Sequence, residues 1–484
     1  MAKPMTRSEA VSWHAERDPE RIAIVCGEER LTRAELEHEA NRLARAYAEL
    51  GVGQGDLVTI ALPNSIEFFA AVLAVWRLGA TPSPISSRLP RIERDAIIEL
   101  ADPTLVLGID PAEHPDRAAL PSRWHGHVAL ENDPMQHRAP DPVMALTSGG
   151  STGRPKVILS QRPPLVDPLV ASVGMQVDGV QLVAGPAYHN GPFTFSLNGL
   201  VLGSTLVVMP RFDAAEALRL LEEHRVDWIF AVPTMLHRIW QLPSEVRAAA
   251  DLSSLRMIFS SGSPWPAWLK EAWIDWVGGD RILEMYGGSE QFGSTMITGT
   301  EALEHPGSVG RPIPGSQVRI LDDDGADLPP GEVGEIYFLP STGPGSTYQY
   351  LGAEGRRRDG WETLGDLGYL DEDGYLYLVD RRTDMIVTGG ANVYPAEVEG
   401  AIDRHPAVRS SAVVGLPDAD LGNAVHAIVD TAGKVVDEDD MRAHLREHLA
   451  PYKIPRSFEI VDEPLRDDAG KVRRSALRAD RIPS

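Results

Sequence analysis

The chain of 484 residues has one cysteine, six lysines and no apolar run near 18 residues, and each scarcity excludes something. Cys26 has no partner for an internal disulfide and no His, Asp or Glu neighbours at metal-ligand spacing, so it reads as a buried structural thiol. Without a long apolar run, no segment is expected to span a bilayer. The start, Met1 to Arg7, continues into mixed polar sequence instead of an apolar stretch with a cleavage site. No secretory signal is read there, and a cytoplasmic location is expected.

Positive charge is short as well. Lys and Arg number 46 against 70 Asp and Glu, a formal net charge of −24, with a pI near 5.0. A chain this acidic has no overall attraction for nucleic-acid phosphates or anionic lipid, and neither is expected as a partner. With six lysines among 46 basic residues, each lysine is informative; Lys156, Lys453 and Lys471 all fall inside the motifs below.

What is present describes a globular protein: 43% hydrophobic residues dispersed among 24% charged ones. A single core stops growing at roughly 250–300 residues, so two or more domains are expected. From about Ser8 to Val143, helical patterns (Leu36 to Leu50, Ile66 to Leu78) alternate with short β-rich runs (Arg21 to Val25, Leu57 to Leu62, Leu105 to Leu107). A second round follows through Gln181 to Ala184, Thr205 to Met209, Trp228 to Val232 and Met257 to Ser260, with a helix from Ala214 to His224 between. Both rounds predict layered α/β structure with a mostly parallel sheet. After about Gly310, prolines punctuate short strands such as Ser316 to Leu321 and Gly334 to Leu339, a β-rich subdomain. The last 100 or so residues carry helix and strand signals of their own, with a boundary near Thr383. The expected fold class is therefore α/β: a large layered α/β domain with a β-rich subdomain over 1–382, and a small α+β domain over 384–484.

Four constellations carry chemistry. Ser148-Gly149-Gly150-Ser151-Thr152-Gly153-Arg154-Pro155-Lys156 follows the apolar run Val143 to Leu146. Glycines that let backbone N–H groups approach an anion, three hydroxyls and a lysine make a phosphate cradle, although the spacing is not that of a Walker A loop. In Glu284-Met285-Tyr286-Gly287-Gly288-Ser289-Glu290, preceded by Ser261-Gly262-Ser263-Pro264, Tyr286 is suited to stack on a base. Ser289 and Glu290 offer oxygen ligands for a Mg²⁺ bridging phosphates. Gly365-Asp366, followed by Arg381, suits ribose hydroxyls and a phosphate oxygen. Gly470-Lys471 puts a lysine on a glycine-bearing turn, within reach of a developing negative charge.

In this order and spacing the four motifs resemble the adenylate-forming superfamily of acyl-CoA synthetases, luciferases and peptide-synthetase adenylation domains. The resemblance runs from Ala23 through Leu477 and includes Leu31-Thr32 with Glu35-Leu36, Gly310-Arg311-Pro312, Gly389 to Glu399, and Pro451-Tyr452-Lys453-Ile454-Pro455. It implies a large amino-terminal domain, a small mobile carboxy-terminal domain, and a first step joining a carboxylate to AMP with release of pyrophosphate. It further implies that Ser148 to Lys156 hold the β- and γ-phosphates, that Thr152 and Glu290 place Mg²⁺, that Ser261 to Pro264 with Tyr286 line the adenine, that Glu284, Gly287, Gly288 and Ser289 belong to the same nucleotide site, and that Asp366 and Arg381 hold the ribose. Lys471 looks like the family's catalytic lysine. Thr383 stands at the pivot, and Gly389 and Gly390 lie on the strand that lines the acceptor-thiol tunnel. Thr383, Leu364 and Val157 depart from the commoner residues at their positions.

The segment Tyr188 to Phe193 resembles the family's acyl gate, with His189 near the reacting carboxylate and Asn190 and Phe193 in the pocket wall. Phe193-Thr194-Phe195 lacks the aspartate by which amino-acid-activating relatives pair the substrate ammonium. Gly287 and Gly288 leave room beside Tyr286, so a bulky aromatic, polycyclic or aliphatic acid is expected rather than an amino acid or acetate. The co-substrates implied are ATP, Mg²⁺ and CoA. A separate carrier protein or downstream enzyme as acceptor stays open, and so does the oligomeric state, a homodimer included.

Overall fold

The computed structural model describes residues 3–149, 155–263, 265–418, 420–467 and 470–482, the side chains of residues 148 and 149 excepted. The predicted alternation is observed. Its largest product is a nine-stranded sheet in the order Arg311–Pro312, Ser294–Thr298, Ile282–Gly287, Met257–Ser260, Trp228–Phe230, Val180–Val183, Thr205–Val208, Ile22–Cys26, Glu29–Thr32. Pairing is parallel from Ile282–Gly287 to Ile22–Cys26 and antiparallel at both edges. A parallel four-stranded sheet, Thr81–Pro84, Leu57–Ile60, Leu105–Leu107, Ala118–Leu120, forms a second α/β layer.

Between these sheets runs the helix Ile66–Arg77, in which every residue from Phe68 to Arg77 is buried. Its mean composition is apolar all round, as a helix covered on every side requires. The Leu31 to Leu36 segment has a local physical reason: Thr32 and Glu35 form a reciprocal capping box that starts the helix Arg33–Glu49.

The proline-punctuated region folds as an antiparallel sheet built on Gly334–Pro340, which pairs with Ser316–Leu321, Trp361–Glu362 and Asp366–Leu370; the last pairs with Leu376–Arg381. A separate three-stranded sheet contains Ala145–Gly149, Pro155–Ser160 and, from far along the chain, Tyr348–Leu351. The carboxy-terminal part has its own five-stranded sheet, its own core of Ile386, Val393, Val398, Ile402, Val413 and Leu445, and flanking helices Pro395–Ile402 and Glu438–Arg446. Among the described residues no helix is long and apolar enough to cross a membrane.

Candidate active site

Parallel strands end where their helices begin, leaving a crevice of free backbone groups at their carboxyl ends, where open α/β sheets bind ligands. Here the carboxyl ends of Val180–Val183, Met257–Ser260 and Ile282–Gly287 open onto the loop to His189, onto Ser261 to Ser263, and onto Gly288 to Glu290.

One wall is the phosphate-cradle hairpin. Its strands pair in the register Ser148↔Lys156 and Gly149↔Pro155. Gly150, Ser151, Thr152 and Gly153 lie outside the described residues, as do the side chains of Ser148 and Gly149. Lys156 is described, and its ammonium donates to Glu290 Oε1 at 3.1 Å and to the Tyr350 hydroxyl at 2.8 Å. The Tyr350 hydroxyl in turn donates to Glu290 Oε1 at 2.5 Å. Burial, and then the Glu290 carboxylate, push the Tyr350 phenol well up from its usual value, so it keeps its proton as a donor. Thr347 Oγ1 donates to the Glu290 carbonyl at 2.8 Å. Gln291, held by Arg162, adopts a left-handed backbone at φ 59°.

A second wall of the crevice joins two sheets. The Tyr286 hydroxyl donates to Asp366 Oδ2 at 2.7 Å, and Arg381 Nε lies 3.3 Å from Asp366 Oδ1, its strand partner in register. Burial, then Asp366, raise the Tyr286 phenol well above its ordinary range. Ser261 is buried beside this wall, and Gly262 turns at φ 94°; Pro264 lies outside the described residues.

Three sequence expectations meet a different geometry. Glu284 is buried, and its carboxylate pairs with the equally buried Lys270, whose ammonium also donates to the Ser308 carbonyl at 3.3 Å. Burial raises the Glu284 pKa against the opposing pull of Lys270. The carboxylate is therefore engaged inside the protein, where it braces the strand Ile282–Gly287 from behind. Gly288 leaves no free space: a Cβ there would lie 2.6 Å from Glu290 Oε2 and 2.8 Å from Leu364. Gly287 is likewise closed in by Gly293 and Ser294. Phe193 is fully buried against Phe68 and belongs to the main core, not to a pocket wall. Periodicity alone did not separate the faces of the helix Asn190–Val201.

His189 is the N-cap of that helix, and its ring packs against Tyr188 at a tilt of 44°, with ring centroids 4.3 Å apart. The loop leading to it is clamped by Asn64. Its amide accepts from Ala187 N at 2.7 Å and donates to the carbonyls of Gly185 and Met209 at 2.9 and 3.0 Å. Asn190 Oδ1 accepts from Thr194 Oγ1 at 2.9 Å. Gly191 is required because a Cβ there would fall 2.2 Å from the Phe230 ring.

Lys471 comes to the same crevice from the carboxy-terminal part. Gly470, at φ 77°, presses on the helix Pro233–Trp240, and a Cβ would lie 2.5 Å from Thr234 Oγ1. The Lys471 amide donates to Asp467 Oδ1 at 2.9 Å. The residue keeps contact with solvent, yet the crevice walls lower its ammonium pKa. Desolvation leads; Arg381 adds to it, while Asp467 and Glu290 oppose it. Arg473 reaches Glu93 at 3.4 Å, a further contact with the amino-terminal part.

Thr383 is exposed and donates to Asp384 Oδ1 at 3.2 Å. Asp384 pairs with Arg474 at 3.0 Å, and Asp380 Oδ2 accepts from Ala396 N at 2.9 Å. Gly389 and Gly390 form the exposed turn between Ile386–Thr388 and Ala391–Val393, at φ 55° and 81°. Tyr350, Thr347, Lys270, Asn64 and Thr234 were not singled out from the sequence; none carries a motif, and all but Lys270, whose ion-pair partner Glu284 is 14 residues on, act through a partner at least 57 residues away.

Among the described residues no group of three or more His, Cys, Asp or Glu gathers to hold a metal ion. A hard cation beside Glu290 would take its other oxygens from substrate phosphates, the usual arrangement for Mg²⁺. Lys156 pairs with Glu290 at 3.1 Å, and the Lys471 ammonium feels the Glu290 charge as well.

Comparison with known proteins agrees with this chemistry. The family described as AMP-binding enzyme matches residues 11–351, and the AMP-binding enzyme C-terminal domain matches 397–471. The chain is 32% identical to a 2-succinylbenzoate–CoA ligase of Bacillus licheniformis, covering 96% of this chain and 98% of that one. It is 32% identical to the fatty acid–[acyl-carrier-protein] ligase ScoC of Streptomyces coeruleorubidus, covering 98% and 96%. The o-succinylbenzoate CoA synthetase of Bacillus subtilis, solved with its acyl-adenylate, superposes over all of both chains with a TM-score of 0.82 at 27% identity. The same synthetase has been solved with ATP and magnesium.

Proposed function

The chain belongs to the AMP-binding enzyme family, and from that premise we propose a division of labour among its residues in an ATP-dependent acid:CoA ligase. The enzyme joins a carboxylic acid to AMP, releasing pyrophosphate, and then passes the acyl group to the thiol of CoA. A carboxylate repels nucleophiles and lacks a leaving group; AMP supplies one. Mg²⁺ neutralises phosphate charge beside Glu290 when the nucleotide is bound.

The observation that carries this reading is the close seat of Gly470 against Thr234, which brings the turn bearing Lys471 to the crevice, within electrostatic reach of Glu290 and Arg381. A carboxylate oxygen attacking the α-phosphorus builds negative charge there, and Lys471 offers a preformed cation at that point. Lys156 takes phosphate oxygens, Glu290 the metal side, and Tyr286, Asp366 and Arg381 the nucleoside; Thr152 and the other cradle residues complete the phosphate grip. His189, on its Asn64-braced loop, stands at the acid's carboxylate. In this reading residues 1–382 and 384–484 turn about Thr383 between half-reactions, bringing Gly389 and Gly390 to the acceptor thiol.

The acid is an aromatic or other bulky one, as for the named relatives. Support for that class comes from the relatives, since Gly287 and Gly288 are closed in by the protein itself and Phe193 is packed in the main core. The second reading is transfer to a carrier protein, favoured by the likeness to ScoC. Pyrophosphate release with ATP, Mg²⁺ and a panel of aromatic, polycyclic and fatty acids, with and without CoA, tests both. Multiple turnovers to acyl-CoA are expected; acyl-AMP that accumulates and ignores CoA would transfer the assignment to a protein-bound thiol.

A further inference from the structure

Glu290 is gripped twice by one short stretch of chain that lies 57 to 60 residues further on. Thr347 Oγ1 holds its carbonyl, and the Tyr350 hydroxyl holds its carboxylate. The register explains how Tyr350 gets there. Tyr350 pairs directly with Ile158, and Lys156 sits two residues before Ile158 on the same face. It is therefore a diagonal neighbour, a separation that an aromatic side chain spans. The Lys156 ammonium consequently lies over the Tyr350 ring, 4.2 Å from its centroid, as well as against its hydroxyl.

Lys156, Tyr350 and Glu290 close a triangle with sides of 2.8, 2.5 and 3.1 Å. An ammonium can only donate and a carboxylate can only accept, so the hydroxyl is the one member that does both. Its proton goes to Glu290 and its lone pair takes Lys156. When phosphates enter, Lys156 must transfer its bonds from Glu290 to them. The hydroxyl then still fixes the direction of the carboxylate, which would otherwise turn freely or stay locked in a direct ion pair.

We propose that Tyr350 is a positioning residue for adenylation, its hydroxyl aiming the Glu290 carboxylate at the metal side of bound ATP while freeing Lys156 for the phosphates. This rests on the placement of Glu290 proposed above. Partners that orient a ligating carboxylate typically change metal affinity by 10–100-fold. Tyr350→Phe keeps the ring over Lys156 and its edge contact with Tyr348, and removes only the hydroxyl.

The test is calorimetric binding of a non-hydrolysable ATP analogue across a series of Mg²⁺ concentrations, with AMP binding as a metal-independent reference. Y350F is expected to need about tenfold more Mg²⁺ for half-maximal binding of the analogue, with AMP affinity unchanged. A variant with the wild-type Mg²⁺ requirement overturns the role of Tyr350 alone, leaving a packing residue. A wild-type chain whose analogue binding ignores Mg²⁺ overturns the placement of Glu290, and the role of Tyr350 with it. Should Y350F fail to fold, Thr347→Val removes the other anchor. A raised Mg²⁺ requirement there supports the strand's grip on Glu290, and an unchanged one overturns the proposal.

Discussion

The Tyr286 hydroxyl and the Asp366 carboxylate, 2.7 Å apart, tie the nine-stranded sheet to the antiparallel sheet of the β-rich region exactly where the nucleoside is proposed to bind. Neither sheet alone makes this wall of the crevice. Hydrogen bonds to charged groups contribute about 1.5–3 kcal/mol. Tyr286→Phe is therefore expected to raise the KM for ATP roughly tenfold with little change in kcat, the signature of lost uniform binding. Steady-state kinetics with ATP varied at saturating acid reads this directly.

Gly470 has both a left-handed backbone and no room for a side chain beside Thr234. Gly470→Ala should displace Lys471 by an ångström or so, an error that costs about a hundredfold in rate. Acyl-adenylate formation, followed by pyrophosphate exchange, is expected to fall by that factor. Conversion of supplied acyl-AMP to acyl-CoA should be much less affected.

In the proposed mechanism Lys471 acts as a cation, and its crevice lowers its pKa from the ordinary 10.5. The working, protonated form is lost as pH rises, so adenylation should decline on the alkaline side sooner than a free lysine would dictate. Lys471→Arg stays charged throughout. Its pH profile between pH 7 and 10 is expected to lack that decline, whatever its absolute rate.

Lys270 and Glu284 are both buried and committed to each other. Removing one partner strands a charge, at a cost of about 3–5 kcal/mol. Lys270→Met should lower the urea midpoint markedly, and Lys270→Met with Glu284→Leu should recover most of the loss. A double variant with restored stability and a raised KM for ATP would separate the brace from mere folding.

Much of this fold is local and was readable. The strand Ser316–Leu321 and the helix start at Arg33 follow from alternation and a capping box, each settled within a few residues. Tyr286, Asp366 and Lys471 stood out in the sequence because each sits beside a glycine in a short motif, and the proposed roles rest on those motifs. Glu284, Phe193 and Gly288 were assigned to the ligand because a sequence shows residue type but not which neighbour claims the side chain. Lys270, Phe68 and Leu364 made those claims, from 14, 125 and 76 positions away. Tyr350 left no signal at all, since a lone tyrosine in a strand becomes informative only when its partner strand is known.

The strand Tyr348–Leu351 flanks a hairpin that ends about 190 residues earlier, at Ser160. On a ribosome adding about 5–20 residues per second, that gap lasts roughly 10–40 s. Throughout that interval the nascent chain carries a finished phosphate-loop sequence whose outer strand has not yet been made. The strand that completes this hairpin's sheet is made only when nearly three quarters of the chain has been translated, and Asp366, Arg381 and Lys471 follow it later still.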